Sequence, residues 1–374
     1  MAHSYTPGLK VLHSSDIEKV RRLPIKGKVT KSVGDNLNPD DIVATTDLPG
    51  NVQIIKIASR LNIGPADILD ALKVTEGENV KKGDLIAQTE GLFGFFKSEI
   101  FSPIDGSIES VSEVTGQIIM REAPIPVQID AYMSGTVKDI IPNEGVTIQA
   151  HAAFIQGIFG IGGEARGNME ILVKDRGSEI TKDLLNETHK GKIVVGGGFI
   201  SLDTFKKAMK LKVAGVVVGG FNYYDLEDIL GYTLGVAITG SEEINTSLVV
   251  TEGYGNIKMG ERTYELLSNH DNKFVSINGA TQIRAGVIRP EIVIPLPNKK
   301  TIKNNNSKTE KGISEGSLVR VIRAPHFGSM GTVVSLPTDL QKMESETMVR
   351  VAKIKIENDI LVIPRSNLEM VETD

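Results

Sequence analysis

Cysteine and tryptophan are both absent from this chain of 374 residues, and aromatic side chains make up only 5% of it. Without cysteine the protein can form no disulfide, no thiolate nucleophile and no Cys-ligated zinc or iron–sulfur site. Phe and Tyr this sparse provide a poor stacking surface for single-stranded nucleic acid. These absences exclude several common kinds of binding and catalytic site.

Long apolar runs are also missing. No stretch approaches the roughly 18 to 20 apolar residues of a membrane-spanning helix, and the first residues lack the features of a signal peptide. We therefore expect a cytoplasmic protein with no membrane contact. A net charge of -5 and a pI near 5.8 argue against broad electrostatic binding to nucleic acid. The length and the 40% hydrophobic content allow two or three folded domains.

Glycine-punctuated strands are predicted for the first part of the chain. After an expected N-terminal arm (1–22), residues 23–150 carry short apolar runs broken by Gly, Pro, Asn and Asp, a pattern typical of strands and turns. One short helix is expected after Pro65, because Ile68, Leu69 and Leu72 have helical spacing.

Two motifs in this part resemble the biotinyl/lipoyl family: VKKGDLI from Val80 and SPIDGSI from Ser102. The resemblance implies a barrel-sandwich hybrid domain over 23–150, made of two similar halves. The matching residues are Val80, Gly83, Asp84, Leu85, Ser102, Pro103, Asp105, Gly106 and Ile108.

The hairpin between these motifs departs from the family's carrier members, which display a modifiable lysine at its tip. Here the hairpin reads GLFGFFKS, is longer, and places Lys97 away from that position. We therefore expect no biotin, no lipoate and no other cofactor. Phe93, Phe95 and Phe96 form an apolar run that either is buried in the loop or contacts a protein partner.

A glycine-rich α/β domain is predicted over 151–297. The strand KIVVGGG, a helix capped by Ser201 and the strand AGVVVGG form a βαβ unit with parallel strands. Helix DLEDIL, strand GVAITG, strand SLVVTEGYG and a helix near 261–267 are expected to follow. Since ligands bind at the carboxyl ends of parallel strands, the glycines there are a candidate ligand site, although tight turns would also require glycine. These glycines are Gly196, Gly197, Gly198, Gly219, Gly220 and Gly240.

Two further patterns in this domain each allow a functional and a purely structural interpretation. Gly160, Gly162 and Ala165 satisfy the dinucleotide fingerprint, but MEILV follows as a strand pattern, so a glycine-rich hairpin is favoured. Glu164 and Arg166 on that turn are expected to form a solvated ion pair rather than a polar site.

The segment after Ala214 is similar to the swivelling domains of phosphoenolpyruvate-utilising enzymes. Tyr224 stands where their phosphoryl-carrying histidine would be, so the resemblance implies no carrier chemistry. Further on, Arg284 and Arg289 bracket a glycine turn. They are expected either to hold a phosphate or carboxylate, or to pair with an acid such as Glu252 or Glu291 across a domain junction.

Beyond a polar, flexible linker over 298–315, residues 316–374 resemble a KOW/SH3-like small barrel. Such modules contact RNA or protein, and a loop of this one carries Arg323, His326 and Phe327 as candidate partner-binding residues. Acidic and basic residues are equal in number from Thr301 to Asp374, which argues against RNA. The matching residues are Gly316, Val319, Val321, Phe327, Gly328, Gly331, Val333 and Val334.

Local catalytic motifs are not found. The six histidines lack metal-ligand spacing, and neither a G-x-S-x-G elbow nor a Walker A loop is present. The sequence thus predicts an α+β multidomain protein with three units: a barrel-sandwich hybrid, an α/β domain with parallel strands, and an SH3-like β-barrel. A non-enzymatic scaffold or adaptor for protein partners fits this best. The alternatives are a transcription- or translation-associated factor that contacts RNA polymerase, the ribosome or RNA, and an enzyme that binds an anionic metabolite at the glycines.

Overall fold

The computed structural model describes residues 9–89, 97–231, 239–240, 242, 244–282, 288–297, 313–321, 326, 329–343, 348–356 and 359–373. Strands take up 48% of the described residues and helices 14%. The chain is therefore β-rich, with several sheets, as the glycine-punctuated pattern indicates. No helix in these ranges is long and apolar enough to cross a membrane.

The first part of the chain contains thirteen strands and two short helices among its described residues. A 3₁₀ turn at Pro65–Asp67 leads into a helix over Ile68–Ala71, where the sequence predicts a short helix. The strands are β1 Leu9–Arg22, β2 Lys28–Val29, β3 Asn36–Leu37, β4 Ile42–Leu48, β5 Val52–Ile55, β6 Asn79–Val80, β7 Leu85–Gln88, β8 Glu99–Phe101, β9 Gly106–Ser112, β10 Gln117–Glu122, β11 Ile125–Asp130, β12 Gly135–Ile141 and β13 Gly145–Gln156. The helices are α1 Ile57–Leu61 and α2 Ile68–Ala71.

Three small antiparallel sheets arise from these strands, in the orders β5-β10-β9-β6, β11-β4-β2 and β7-β8. The alternating apolar residues of β9 and β10 place Ile108, Ile118 and Met120 in one core, against Ile57 and Ile68 of the two helices. Burying these side chains together is the main stabilising contribution here.

Strand β1 is the clearest departure from the sequence-based expectation. Residues 9–22, predicted as an arm, pair antiparallel with β13 from Val11–Ile155 to Arg22–Gly145. The first residues of β1 also pair in parallel with β29 (Leu368–Thr373), with Leu9 opposite Val371. Leu9, Val11 and Ile17 are buried, whereas the other face is largely polar. Because one face of β1 is polar, the segment contains no continuous apolar run that would predict a strand.

The central part follows the predicted βαβ order. β17, β19 and β20 run parallel in adjacent positions, and Ser201 caps α3 by accepting a hydrogen bond from Thr204 N. The predicted strand GVAITG lies largely outside the described residues. The strands are β14 Phe159–Ile161, β15 Glu164–Ile171, β16 Glu179–Ile180, β17 Ile193–Val195, β18 Phe199–Ile200, β19 Gly215–Phe221, β20 Ser247–Tyr254, β21 Phe274–Asn278 and β22 Glu291–Pro295. The helices are α3 Leu202–Lys210, α4 Asp225–Leu230 and α5 Glu261–Ser268.

The last part forms an antiparallel sheet, here called the C-terminal sheet, in which β23 pairs with β24 and β29, and β27 pairs with β24 and β28. Val319, Val333 and Ile354 lie in its buried core. Of the predicted linker, residues 298–312 lie outside the described residues. The strands are β23 Leu318–Val321, β24 Met330–Ser335, β25 Gln341–Lys342, β26 Met348–Val349, β27 Val351–Ile356, β28 Asp359–Pro364 and β29 Leu368–Thr373.

Candidate functional site

The glycines after β17 and within β19 come together at one edge of the parallel sheet, and neighbouring backbone lies directly on them. A Cβ added to Gly219 would lie 2.2 Å from Ile257 O, and one added to Gly197 would lie 2.5 Å from Asp175 O. The same holds for Gly220, where Gly255 O would be 1.9 Å away. Close approach of two loops therefore accounts for these glycines, and ligand binding at this edge stays a prediction.

Gly240 does not join that edge. It lies beside Gly163 and Ala280, near Ser247, where β20 begins. Its φ of +111° lies in the region that only glycine adopts without strain. The six glycines of the sequence-based prediction thus divide between the two ends of the parallel strands.

Tyrosines surround the carboxyl end of β20. The rings of Tyr223 and Tyr254 have centroids 5.1 Å apart, and Tyr254 also contacts Phe159 at 5.4 Å. Burial raises the pKa of the Tyr254 hydroxyl to about 12. Tyr224 is 82% exposed. Sequence reasoning did not identify this cluster, because its members come from three separate elements.

Arg289 lies at a different place, the junction between the central part and the C-terminal sheet. It pairs with Glu369 rather than with Glu252 or Glu291, the two partners suggested by the sequence. Glu291 pairs instead with Lys19 of β1. Arg284 lies outside the described residues, so the two arginines cannot be compared, and anion binding by them stays a prediction.

Arg320 connects the same junction from the other side. Its Nη2 lies 3.0 Å from Glu369 Oε2, and its Nη1 lies 3.3 Å from Glu252 Oε2. Burial lowers the pKa of the Arg320 guanidinium, and the two carboxylates oppose that effect. Because Gly260 N also donates to Glu252 at 2.8 Å, the buried charges hold the C-terminal sheet against β20 and the start of α5.

A second charged cluster connects the first and central parts. Arg166 and Glu164, two positions apart on β15, do not pair with each other as expected. Arg166 pairs with Asp130 and Asp40, whereas Glu164 pairs with Arg21 of β1. The missed strand β1 supplies this alternative partner.

The outer face of the C-terminal sheet is an exposed surface in which lysines stand among aliphatic side chains. Lys353 and Lys355 project from β27, which lies between β24 and β28, and the register places them opposite Val362 and Ile360 of β28. Val334 of β24 is exposed on the other side of β27. We call these five residues the lysine face.

Neither lysine of this face has an ion-pair partner among the described residues. The three aliphatic side chains are between 43% and 58% exposed, and they lie on strands next to the lysines, so that the exposed apolar surface is grouped on one sheet face. The arrangement leaves two positive charges and an apolar rim available for a complementary surface. Alternation within β27 and β28 is the sequence signal that predicts this face.

The remaining predicted partner-binding residues are mostly outside the described ranges. Phe93, Phe95, Phe96, Arg323 and Phe327 belong to this group. His326 is described and exposed, and its carbonyl accepts a hydrogen bond from Ser329 N at 3.0 Å. Lys97 is exposed beside β8, at the base of the hairpin whose strands β7 and β8 pair as expected.

No protein-family model matches the chain, and no curated protein sequence is significantly similar to it. Its function therefore has to be argued from the residues above.

Proposed function

We propose that this chain is an adaptor that binds an acidic protein segment through the lysine face of its C-terminal sheet. The observation that carries the proposal is the position of Lys353 and Lys355 between exposed Val334, Ile360 and Val362. In this proposal the C-terminal sheet is the KOW/SH3-like barrel that the sequence resembles, and the first part is the barrel-sandwich hybrid.

The chemistry of the face supports a protein partner. Aliphatic side chains gain free energy when a partner removes them from water, by about 25 cal/mol per Å². The lysines add selectivity for carboxylates and faster encounter with an acidic surface. RNA is less well matched, because the five residues of the face include no aromatic side chain on which a base could stack.

The buried charges at the junction support an adaptor role in a second way. Arg320, Glu252 and Glu369 join the C-terminal sheet to the central part, so a partner bound on the lysine face would be held at a set position relative to the rest of the protein. An interface of usual size needs roughly 800 Å² from each partner, so loops beside the face would take part.

Charge reversal tests the proposal without disturbing the core. Full-length wild type and Lys353→Glu/Lys355→Glu are expressed with a tag in the source cells, and partners are quantified by crosslinking and mass spectrometry. We expect the double variant to recover at least one acidic protein partner in an amount tenfold or more below wild type. Added salt should reduce the recovery of the same partner by wild type, because salt screens the charges of the lysines. Purified, that partner should bind wild type directly.

The matched control is Lys81→Glu/Lys82→Glu, which reverses two adjacent exposed lysines in the first part of the chain. It should keep all partners. Identical partner sets for the two double variants would refute the proposal. Loss of all partners after ribonuclease treatment would instead favour the alternative of an RNA-associated factor.

A further inference from the structure

Three polar side chains from β1 and β13 lie in a hydrogen-bonded row. Asp16 stands directly opposite His151 in the strand pairing, and a register shift between Leu12 and Ser15 brings Ser14 to the other side of the imidazole. Ser14 Oγ lies 2.8 Å from His151 Nε2, and Asp16 Oδ1 lies 2.9 Å from His151 Nδ1. The order of groups is hydroxyl, imidazole, carboxylate.

The hydrogen bonds select one tautomer of His151. Because the Asp16 carboxylate can only accept, Nδ1 carries the proton and donates to it. Nε2 then has a free lone pair and accepts the hydrogen bond from the Ser14 hydroxyl. This is the arrangement in which an imidazole acts as general base toward serine, and it recurs on unrelated folds.

A cavity of about 410 Å³ adjoins the row: His151 and Asp16 are part of its wall, whereas Ser14, which is hydrogen-bonded to His151, is not one of the residues that line it. The imidazole is 24% exposed, so a small molecule in the cavity can reach it. Leu37, Pro295 and Leu296 give the wall an apolar portion. The cavity therefore offers both a polar end beside the imidazole and a place for a short aliphatic group.

Two side-chain amides in the same wall can donate hydrogen bonds. Asn36 Oδ1 accepts from Thr136 Oγ1 at 3.0 Å, which leaves the Asn36 NH₂ group as a donor. Gln149 lies two residues before His151 on β13, on the same face of that strand. Amide donors of this kind stabilise the oxyanion that forms when a hydroxyl adds to a carbonyl.

We propose that Ser14, His151 and Asp16 form an acyl-transfer site that hydrolyses a small carboxylic ester, whose carbonyl lies beside Ser14 and His151 and whose aliphatic group enters this cavity. Ser14 and His151 are the catalytic residues, and Asp16 is a positioning residue. The site lies on β1 and β13, so it is independent of the lysine face and adds a chemical activity to the proposed adaptor role.

The reaction balances with the groups present and one water. Ser14 Oγ forms a bond to the ester carbonyl carbon while His151 Nε2 takes the hydroxyl proton. The tetrahedral intermediate collapses, the bond to the leaving alkoxide breaks, and His151 returns the proton to that oxygen. Water then attacks the acyl-serine with His151 again as base, which releases the carboxylic acid and restores Ser14.

A fluorophosphonate probe tests the site on the full chain. We expect the probe to label native protein on the peptide that contains Ser14, and Ser14→Ala to abolish that labelling. His151→Gln should slow labelling at least a hundredfold, while thermal unfolding and circular dichroism show that it remains folded. The control is Ser15→Ala, since Ser15 lies on the opposite face of β1, next to Ala152; it should label like wild type.

The role of Asp16 has its own readout, rescue by the conservative variant. The carboxylate accepts from His151 Nδ1 and so holds the tautomer that leaves Nε2 as the base; Asp16→Asn should slow labelling, and Asp16→Glu should recover part of the rate. An unlabelled wild type, labelling that survives Ser14→Ala, or equal labelling of heat-denatured protein would overturn the proposal. Turnover of p-nitrophenyl acetate that disappears in Ser14→Ala would support it independently.

Discussion

Arg320 and Glu369 form a buried ion pair, with 3.0 Å between Nη2 and Oε2 and side-chain exposures of 1% and 4%. Removing Arg320 would leave Glu252 buried with no ion-pair partner among the described residues, and Glu369 with Arg289 alone. We expect Arg320→Met to lower the free energy of unfolding by about 3–5 kcal/mol, measured by urea denaturation. Limited proteolysis should then cleave the C-terminal sheet first.

The exposed pair Lys182–Asp203, with 2.8 Å between Nζ and Oδ2, is the control. Asp203→Ala should lower the free energy of unfolding far less than Arg320→Met does, because solvent screens such pairs. Equal losses of stability for Arg320→Met and Asp203→Ala would contradict the conclusion that Arg320 holds the C-terminal sheet against the central part.

Gly219 packs against the backbone of Ile257, as the 2.2 Å distance from an added Cβ to Ile257 O shows. Backbone cannot move aside as a side-chain tip can. Gly219→Ala should therefore cost about 1–3 kcal/mol of stability. At Gly64 an added Cβ meets only the Asp67 side chain, so Gly64→Ala should cost nothing. Thermal unfolding of both variants measures these costs. If the glycine edge were instead kept open for a ligand, Gly219→Ala would leave the stability unchanged.

Ser201 caps α3 through Thr204, with 3.4 Å between Oγ and N. Ser201→Ala removes the acceptor and should lower the free energy of unfolding by about 1 kcal/mol. Ser201→Thr keeps a hydroxyl and should lose much less. If chemical denaturation gives the same loss for both, packing around Ser201 rather than capping determines its contribution.

Asp130 predicts a pH dependence of stability. Burial alone would raise the pKa of its carboxyl. The positive charges of Arg166 and Arg21 and the hydrogen bond from the Tyr132 N–H together outweigh burial, so the pKa lies below its usual range. The stabilisation is complete above the unfolded pKa, near 4, and is lost as the pH falls through the lower folded pKa. Asp130→Asn should remove this acid-side loss.

Urea denaturation at pH 7, 5, 4 and 3 measures the effect. At pH 7 the substitution should cost about 1.5–3 kcal/mol, the usual range for a hydrogen bond to a charged group, and the cost should shrink toward pH 3. Asp47, exposed and without an ion-pair partner among the described residues, is the control, and Asp47→Asn should leave the profile unchanged. A cost for Asp130→Asn that is constant across pH would argue against the charge effect.

The βαβ segment was predictable because each of its elements has a local signal. Strand β19 is a continuous apolar run, Ser201 is a capping residue, and glycines end the strands. Strand β1 has no such signal, since one of its faces is polar and its partner β13 lies far along the chain. Its identification depends on a register between distant strands, which no local pattern encodes.

The same limitation explains what the sequence could tell about function. The spacing of Ser14 and Asp16 places two polar groups on one side of a strand, but only the pairing with β13 brings His151 between them. The lysine face could be predicted in part from the sequence, because the alternation in β27 and β28 predicts outward-facing lysines and aliphatic side chains. Their exposure could be known only from the packed sheet.

The parallel pairing of Leu9 with Val371 joins positions about 360 residues apart in sequence. Since synthesis begins at the N-terminus, β29 leaves the ribosome long after β1 and β13. Strand β1 can dock on β13 early, but its first three residues must wait for β29. The contact between β1 and β29 therefore forms only after β29 has been synthesised, and a protein shortened before β29 would leave the start of β1 without that neighbour.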